Sequence, residues 1–469
     1  MPGADPADLL LRRVRVADRL VDVLVRDGLV AAVADRLAPA RGVREVDGGG
    51  GALIPGLHDH HLHLRALAAV QASVQVGPAQ APGPDAFGAV LRGAPGDPTS
   101  WIRAIGHHES TTGPLDRWRL DALVPDRPVR VQHRSGVLWT LNSAGLRELG
   151  PLKHPGVERN ATGEPTGRLW RADGWLAART RRDGDGGQLA ATSRRLAATG
   201  VTGLTEATPG AGQAEVDDLR RATADGVVLQ RVHRMAEPGT SVPPGELVTV
   251  GPVKVLLDDD RLPALDDLVD RCAAAHAAGV PVAVHCVTQV QLVLTLTALR
   301  MAGPRHGDRI EHGALVPASC LADLRELGLT VVTQPNLVAE RGEEYLQDVP
   351  APELPDLWRC ASLHAAGVRL AIGTDAPFGD ADPWAALTAA TRRRTPSGQV
   401  LGPAERLPAR VALRLLTGAA DDPARPRRIG PGAPADLCLL DGALDDVLSA
   451  PSAERVRATV VAGRVVAER

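Results

Sequence analysis

The sequence predicts an α/β protein: a (β/α)8 TIM-type barrel, a small β-sandwich domain built from both termini, and a large insertion after the first barrel strand. Three observations carry this expectation. Short apolar strands alternate with amphipathic stretches through the middle of the chain, the pattern of a parallel sheet or barrel. Both ends instead alternate like short antiparallel strands. Between them, the span from His63 to Gly200 is far too long for one helix.

At the N-terminus, Leu9–Val16, Val21–Val25 and Leu29–Val33 read as strands, with Asp27-Gly28 as a two-residue hairpin turn. Eight barrel strands are expected: Leu53–His63, Gly200–Ala207, Val227–Met235, Pro252–Asp258, Val280–Val287, Arg309–Gly313, Leu329–Asn336 and Val368–Ala376. Amphipathic stretches such as Ala264–Ala278 separate several of them. The insertion has a strand-like piece at Trp101–Gly106 and a Gly/Pro-rich tract near Arg159–Gly167. At the C-terminus, Ala435–Leu440, Val456–Val461 and Arg464–Val466 read as strands, with Ala462-Gly463 as a tight turn. The expected domains are residues 1–54 with 420–469 (β-sandwich), 55–63 with 196–419 (barrel) and 64–195 (insertion).

The chain has 469 residues, 44% hydrophobic and 23% charged, with a formal charge of -3. This is an ordinary globular composition, and the near-neutral balance argues against a nucleic-acid or membrane-surface partner. No apolar run approaches the roughly 20 residues a membrane span needs. Met1-Pro2-Gly3-Ala4-Asp5 shows no basic leader region, and the single cysteines at 272, 286, 320, 360 and 438 read as reduced thiols. The expectation is a cytoplasmic protein acting on a small-molecule substrate; a homodimer is compatible with it. Only two residues are lysine, Lys153 and Lys254, against 53 lysines and arginines together.

In a barrel the chemistry sits where strands end. Here the ends carry His61 and His63, Glu206, His233, Lys254 followed by Asp258, His285, His312, Gln334 and Asn336, and Asp375. Imidazoles and carboxylates in one place suit zinc and its neighbours. In His58-Asp59-His60-His61-Leu62-His63, strand parity allows either His61 with His63 or His58 with His60 to act together. Each residue also has a bland alternative: a satisfied core histidine, a helix-capping aspartate, or, for Lys254, a structural ion pair. Lys254 stands in the apolar run Val253-Lys254-Val255-Leu256-Leu257, where burial is costly for a charged amine.

Pro55-Gly56-Leu57-His58-Asp59-His60-His61-Leu62-His63 resembles the PGxxDxHxH opening of the amidohydrolase superfamily. The order HxH, Lys, His, His, Asp is similar to its binuclear metal-dependent hydrolases. Further segments resemble the YtcJ-like branch, amidohydrolase family 3: Trp101–Gly106, Arg134-Ser135-Gly136, Leu141–Leu146, Gly163–Gly167, Gly200–Gly203 and Gly430–Leu437. The resemblance implies His61 and His63 on one divalent metal, His285 and His312 on a second, and zinc as the default ion. It implies that Lys254, carbamylated by carbon dioxide, bridges the two, and that Asp375 is both ligand and catalytic proton shuttle. The implied reaction is hydrolysis of a C–N bond in an amide, N-acyl or cyclic amide by a metal-bridging hydroxide. His107, Glu109, Arg134 and Asn142 in the insertion are read as contacts to substrate polar groups. Leu256–Arg261 and Ser135-Gly136-Val137 depart from the family pattern and bear on the substrate rather than the metals. The competing readings are a mononuclear deaminase, which leaves Lys254 unexplained, and a non-catalytic scaffold, which has no need of a complete ligand set.

Overall fold

The computed structural model describes residues 8–38, 42–71, 73–78, 80–97, 99–180 and 186–469. The Met1–Asp5 start lies outside the described residues. Contacts divide the chain into two compact units: Met1–Leu64 with Ala190–Arg469, and Arg65–Leu189.

In the first unit the N-terminal alternation folds as β1 (Leu9–Val16), β2 (Arg19–Arg26), β3 (Leu29–Ala34) and β4 (Arg44–Asp47), in sheet order β3-β2-β1-β4. Asp27 and Gly28 turn the β2–β3 hairpin with φ of 49° and 74°, the left-handed pair that a type I′ turn needs. The far end of the chain repeats the device. Ala462 and Gly463, at 47° and 81°, join β22 (Val456–Val461) to β23 (Arg464–Glu468). With β21 (Leu437–Leu440) and β5 (Leu53–Pro55) these make a second sheet, β23-β22-β21-β5. Leu11, Val23 and Val25 from one sheet share a buried cluster with Leu437, Leu439 and Val460 from the other. Neither sheet can bury its apolar face alone, which holds the two ends of the chain together.

The expected strand Leu53–His63 is two strands. It breaks at Gly56, whose N–H donates to Asp436 O at 2.9 Å, so β5 stays with β21 while β6 (Leu57–Leu62) joins a different sheet. That sheet is parallel, ordered β15-β14-β13-β6, with β13 (Val201–Glu206), β14 (Arg231–Arg234) and β15 (Val248–Val250). A second parallel sheet holds β16 (Val253–Val255), β17 (Val282–Cys286), β18 (Arg309–His312), β19 (Thr330–Thr333) and β20 (Arg369–Ile372) in chain order. Strand β15 was not expected. Gly251 and Pro252 separate it from β16, since proline has no N–H for the ladder. The expected strand Val227–Met235 shortens to β14, because the N–H groups of Val227 and Val228 close a turn on Ala222 O. Backbone bonds link β6 to the residues that follow β20, outer strands of the two sheets: Asp375 N to His61 O at 2.7 Å and His63 N to Ala376 O at 2.8 Å. The fold is mixed α/β, as expected.

The second unit carries its own six-stranded sheet, β11-β12-β10-β9-β8-β7. Its strands are β7 (Val74–Gln75), β8 (Ile102–His107), β9 (Val129–His133), β10 (Leu138–Leu141), β11 (Val157–Arg159) and β12 (Pro165–Trp170). Phe87, Leu91, Ile102, Leu120 and Val131 fill one core beneath it. No helix among the described residues is long and apolar enough to cross a membrane.

Glu405 ties helix-flanking loops of the first unit together. Its Oε1 accepts from Ser362 Oγ at 2.5 Å and Arg359 Nη1 at 3.2 Å; its Oε2 accepts from Cys360 N at 2.9 Å and Ser362 N at 3.0 Å. Burial alone would raise its pKa, but these donors hold it below the ordinary 4.5. A carboxylate depressed in the folded state stabilises above its ordinary pKa, and that contribution is lost as pH falls through the folded value. Glu405→Ala is expected to cost about 3–5 kcal/mol at neutral pH. In urea unfolding the gap between wild type and variant should narrow below about pH 4; a gap independent of pH would refute this account.

Candidate metal centre

His61 lies at the end of β6 and His63 just beyond it, so both emerge on the same side of the strand. His58 and His60 take the other parity. His58 Nε2 meets Thr205 Oγ1 at 3.0 Å, and the two ring nitrogens of His60 are buried with no partner among the described residues. His285 stands in β17, His312 ends β18, and Asp375 follows β20. Their rings gather: His285 to His312 at 4.5 Å, His61 to His312 at 4.8 Å and His61 to His63 at 5.5 Å between centroids.

Three of these histidines are anchored through Nδ1. His61 Nδ1 meets Glu311 Oε2, His63 Nδ1 meets Thr208 Oγ1 at 2.9 Å, and His312 Nδ1 meets Gln334 Oε1 at 2.9 Å. With the hydrogen on Nδ1 toward each oxygen, Nε2 is left with a lone pair. Burial drives the pKa of His61 and His312 well below the ordinary 6.5, so both rings are neutral. His63 Nε2 lies 3.3 Å, and His61 Nε2 3.6 Å, from Asp375 Oδ1. Both His61 Nε2 and Asp375 Oδ1 are buried without a hydrogen-bond partner among the described residues. Two buried acceptors facing one another are costly unless something positive lies between them. Ligand atoms about 2.1 Å from a tetrahedral ion stand about 3.4 Å apart, so the observed separations fit a cation. His61, His63 and Asp375 therefore form a donor set that suits a divalent metal.

Lys254 in β16 is 3% exposed, and its Nζ has no hydrogen-bond partner among the described residues. Burial pulls its pKa down to about 8, against the opposing pull of Glu311 and Asp375. The supporting shell is equally buried. Arg309 Nε donates to Glu311 Oε1 at 2.7 Å and Arg309 Nη2 to His60 O at 2.7 Å. Asp59 accepts from His61 N at 3.1 Å, Thr374 N at 3.0 Å and Thr374 Oγ1 at 2.5 Å, so it sets the backbone beside two of the donors. His312 and Asp375 both hold left-handed φ, 71° and 57°. For residues other than glycine such strain costs about 1–3 kcal/mol each and collects at functional sites. Gly373 is required for close approach: a Cβ there would fall 2.5 Å from His61 N.

The structure thus gathers His61, His63, His285, His312 and Asp375, with Lys254 acting electrostatically on His61 and His312. His107, Glu109, Arg134 and Asn142 belong to the unit Arg65–Leu189. There His107 Nε2 meets Thr112 Oγ1 at 2.8 Å, Arg134 N donates to His107 O at 2.8 Å, and Glu109 meets His133. Asn142 sits at the opposite end of β9. It accepts from Val129 N and Gly145 N and donates to the carbonyls of Val124 and Arg127, so its amide is fully used in holding that loop. Sequence reasoning did not assign Glu311, Thr208 or Gln334. For Glu311 the signal was present, an acid directly before a candidate ligand in the buried strand Arg309-Ile310-Glu311-His312. His233, also a strand-end candidate, pairs instead with Thr249 Oγ1 at 2.9 Å.

The amidohydrolase family profile matches residues 44–467. An N-substituted formamide deformylase from Arthrobacter pascens is 27% identical over 84% of each chain. The putative amidohydrolase YtcJ from Bacillus subtilis (strain 168) is 24% identical over 96% of this chain and 97% of its own. An uncharacterized metal-dependent hydrolase from Pyrococcus horikoshii OT3 shares the fold, with a TM-score of 0.75 at 20% identity over 92% of this chain and 97% of that one. The chain belongs to the amidohydrolase family, whose members are hydrolases of carbon–nitrogen bonds other than peptide bonds.

Proposed function

We propose that this chain is a metal-dependent hydrolase of a small amide, N-acyl or cyclic amide substrate, on a (β/α)8 barrel formed by its two parallel sheets. Split strand β15–β16 counts as one of the eight. In this reading His61, His63, Lys254, His285, His312 and Asp375 hold two divalent cations, zinc first among the candidates. The observation that carries it is the pair of unpartnered buried acceptors, His61 Nε2 and Asp375 Oδ1, 3.6 Å apart.

Such cations, when bound, would lower the pKa of a coordinated water toward neutrality and polarise the substrate carbonyl. Asp375 takes the proton that the attacking water gives up and returns it to the leaving nitrogen. The C–N bond breaks with its electron pair on nitrogen, giving a carboxylic acid and an amine with no change of oxidation state. Glu311, Thr208 and Gln334 hold three imidazoles in the tautomer that leaves Nε2 free. Lys254, with a pKa near 8, keeps part of its amine neutral at physiological pH. A neutral amine adds to carbon dioxide and loses a proton, so the carbamate's two oxygens replace an ammonium that cannot ligate. The formamide deformylase relative supports an N-acyl substrate, and five buried unpaired cysteines suit the cytoplasm.

Metal analysis of the loaded protein is expected to find two tightly held divalent ions per chain, and chelation should abolish activity that zinc restores. N-substituted formamides, N-acyl amino acids, lactams and hydantoins form the substrate panel. A loaded protein that turns over none of them, or that binds no metal, would overturn the proposal. Glu311→Gln keeps the shape but weakens the anchor on His61, and is expected to lower metal affinity about 10–100-fold. Chelator competition measures this; unchanged retention would remove Glu311 from the supporting role.

A further inference from the structure

Two neighbouring helices of the first unit differ in the face they turn to water. Helix α1 (Leu265–Ala277), before β17, buries Leu268, Cys272 and Ala275 and exposes Asp266, Asp267, Asp270 and Arg271, the polar outer face of an ordinary surface helix. Helix α2 (Gln289–Ala302), after β17, buries Leu292, Thr295, Leu296 and Leu299 on one face. Its other face is apolar too. Val290, Val293 and Met301 are 60%, 46% and 57% exposed, and with Leu294 and Thr297 they form one stripe at helical spacing. Thr297 Oγ1 donates to Val293 O at 2.9 Å, so its hydroxyl proton is already used. Arg300 is the one charged residue of α2, and it donates to Asp323 Oδ1 at 2.8 Å. A helix that is apolar all round is ordinarily a buried one. Here Leu265, Gln289, Val290, Val293, Leu294 and Thr297 line a groove that is open to solvent among the described residues.

The two ends of the stripe carry opposite charge. At its start Thr288 Oγ1 donates to Asp259 Oδ1 at 2.9 Å, and Leu265 brings the first turn of α1, with Asp266 and Asp267, to the same end of the groove. Exposed Asp259, Asp260, Asp266 and Asp267 outweigh Arg261 there. At the far end Arg305 is exposed, its guanidinium beside Gly279 just beyond α1. A face that is apolar in the middle, acidic at one end and basic at the other is complementary to itself when turned by half a rotation.

We propose that this face is the centre of a two-fold homodimer in which α2 packs antiparallel against the α2 of a second copy. An axis passing between Leu294 and Thr297 sets Val290 of each copy against the partner's Met301, and Leu294 against the partner's Thr297. Asp266 and Asp267 then stand at the level of the partner's Arg305, and the two helix dipoles oppose one another favourably. A helix of 14 residues is about 21 Å long, so the contact sits at the low end of the roughly 800 Å² per partner of a stable interface, and the dimer dissociates on dilution.

Sedimentation of the full chain over a wide concentration range tests this. Wild type is expected to pass from one chain mass on dilution to two at high concentration. Val293→Glu is expected to weaken dimerisation at least about tenfold, because the two-fold axis makes it bury two unpaired carboxylates. Met301→Glu serves if Val293→Glu does not fold. Arg305→Glu should weaken the dimer by setting like charges together, and adding Asp266→Arg and Asp267→Arg to that variant should restore it. A wild type that keeps one chain mass throughout, or a dimer that both apolar-to-Glu variants leave intact, would overturn the proposal. Failure of the charge-reversed variant to recover would overturn the antiparallel arrangement and the proposal with it. None of these positions is a proposed metal ligand, so the result is independent of the hydrolase reading.

Discussion

Asp375→Asn is expected to reduce kcat about 10²–10⁴-fold, the range that a positioned proton-transfer group contributes. Asparagine tolerates the left-handed backbone that Asp375 adopts at a φ of 57°, so the fold should survive. The amide cannot take up the water's proton, and it faces His61 Nε2 and His63 Nε2 with half the former ligand capacity and no charge. Steady-state kinetics on metal-loaded variant, with metal content measured on the same sample, separates loss of proton transfer from loss of metal. Wild-type turnover by this variant would sink the role assigned to Asp375.

Lys254 is expected to have an effect as large through a different cause. Lys254→Ala should abolish hydrolysis and lower the metal content. Lys254→Met should do the same while leaving stability equal or higher, because a buried amine without a partner is replaced by an apolar chain of similar volume. Glutamate is a poor control, since its carboxylate could stand in for a carbamate. Full activity in either variant excludes the bridge. An inactive but stable Lys254→Met would show that the residue resists this chain's arginine bias for chemical rather than structural reasons.

Much of the architecture was legible in the sequence. Period-two alternation and the Asp27-Gly28 and Ala462-Gly463 turns are local properties, and both hairpins form with the positive φ values those residues favour. Most strands of the two parallel sheets were found to within a few residues, because buried parallel strands read as short apolar runs. The break at Gly56 was not legible. It depends on the carbonyl of Asp436, which is remote in the chain. Strand β15 was missed for a similar reason, since Val248–Val250 is short and becomes a strand only by pairing with β14. The supporting shell of the centre was the least visible part. Glu311 and His61 meet across 250 residues, a pairing that no local spacing encodes.

The sequence by itself determined which chemistry was available: imidazoles, a carboxylate and one lysine at the ends of successive strands, in residue types that select a borderline divalent ion. Strand parity left His61 with His63 and His58 with His60 both open, and the resemblance implied the first pair. The tertiary structure sets that pair against Asp375 and alone decides that Nε2 is the free nitrogen on each anchored ring. Ligand type is a property of the side chain and its spacing along one strand. Direction and tautomer come from partners contributed by other strands, and those meet only when the sheets assemble.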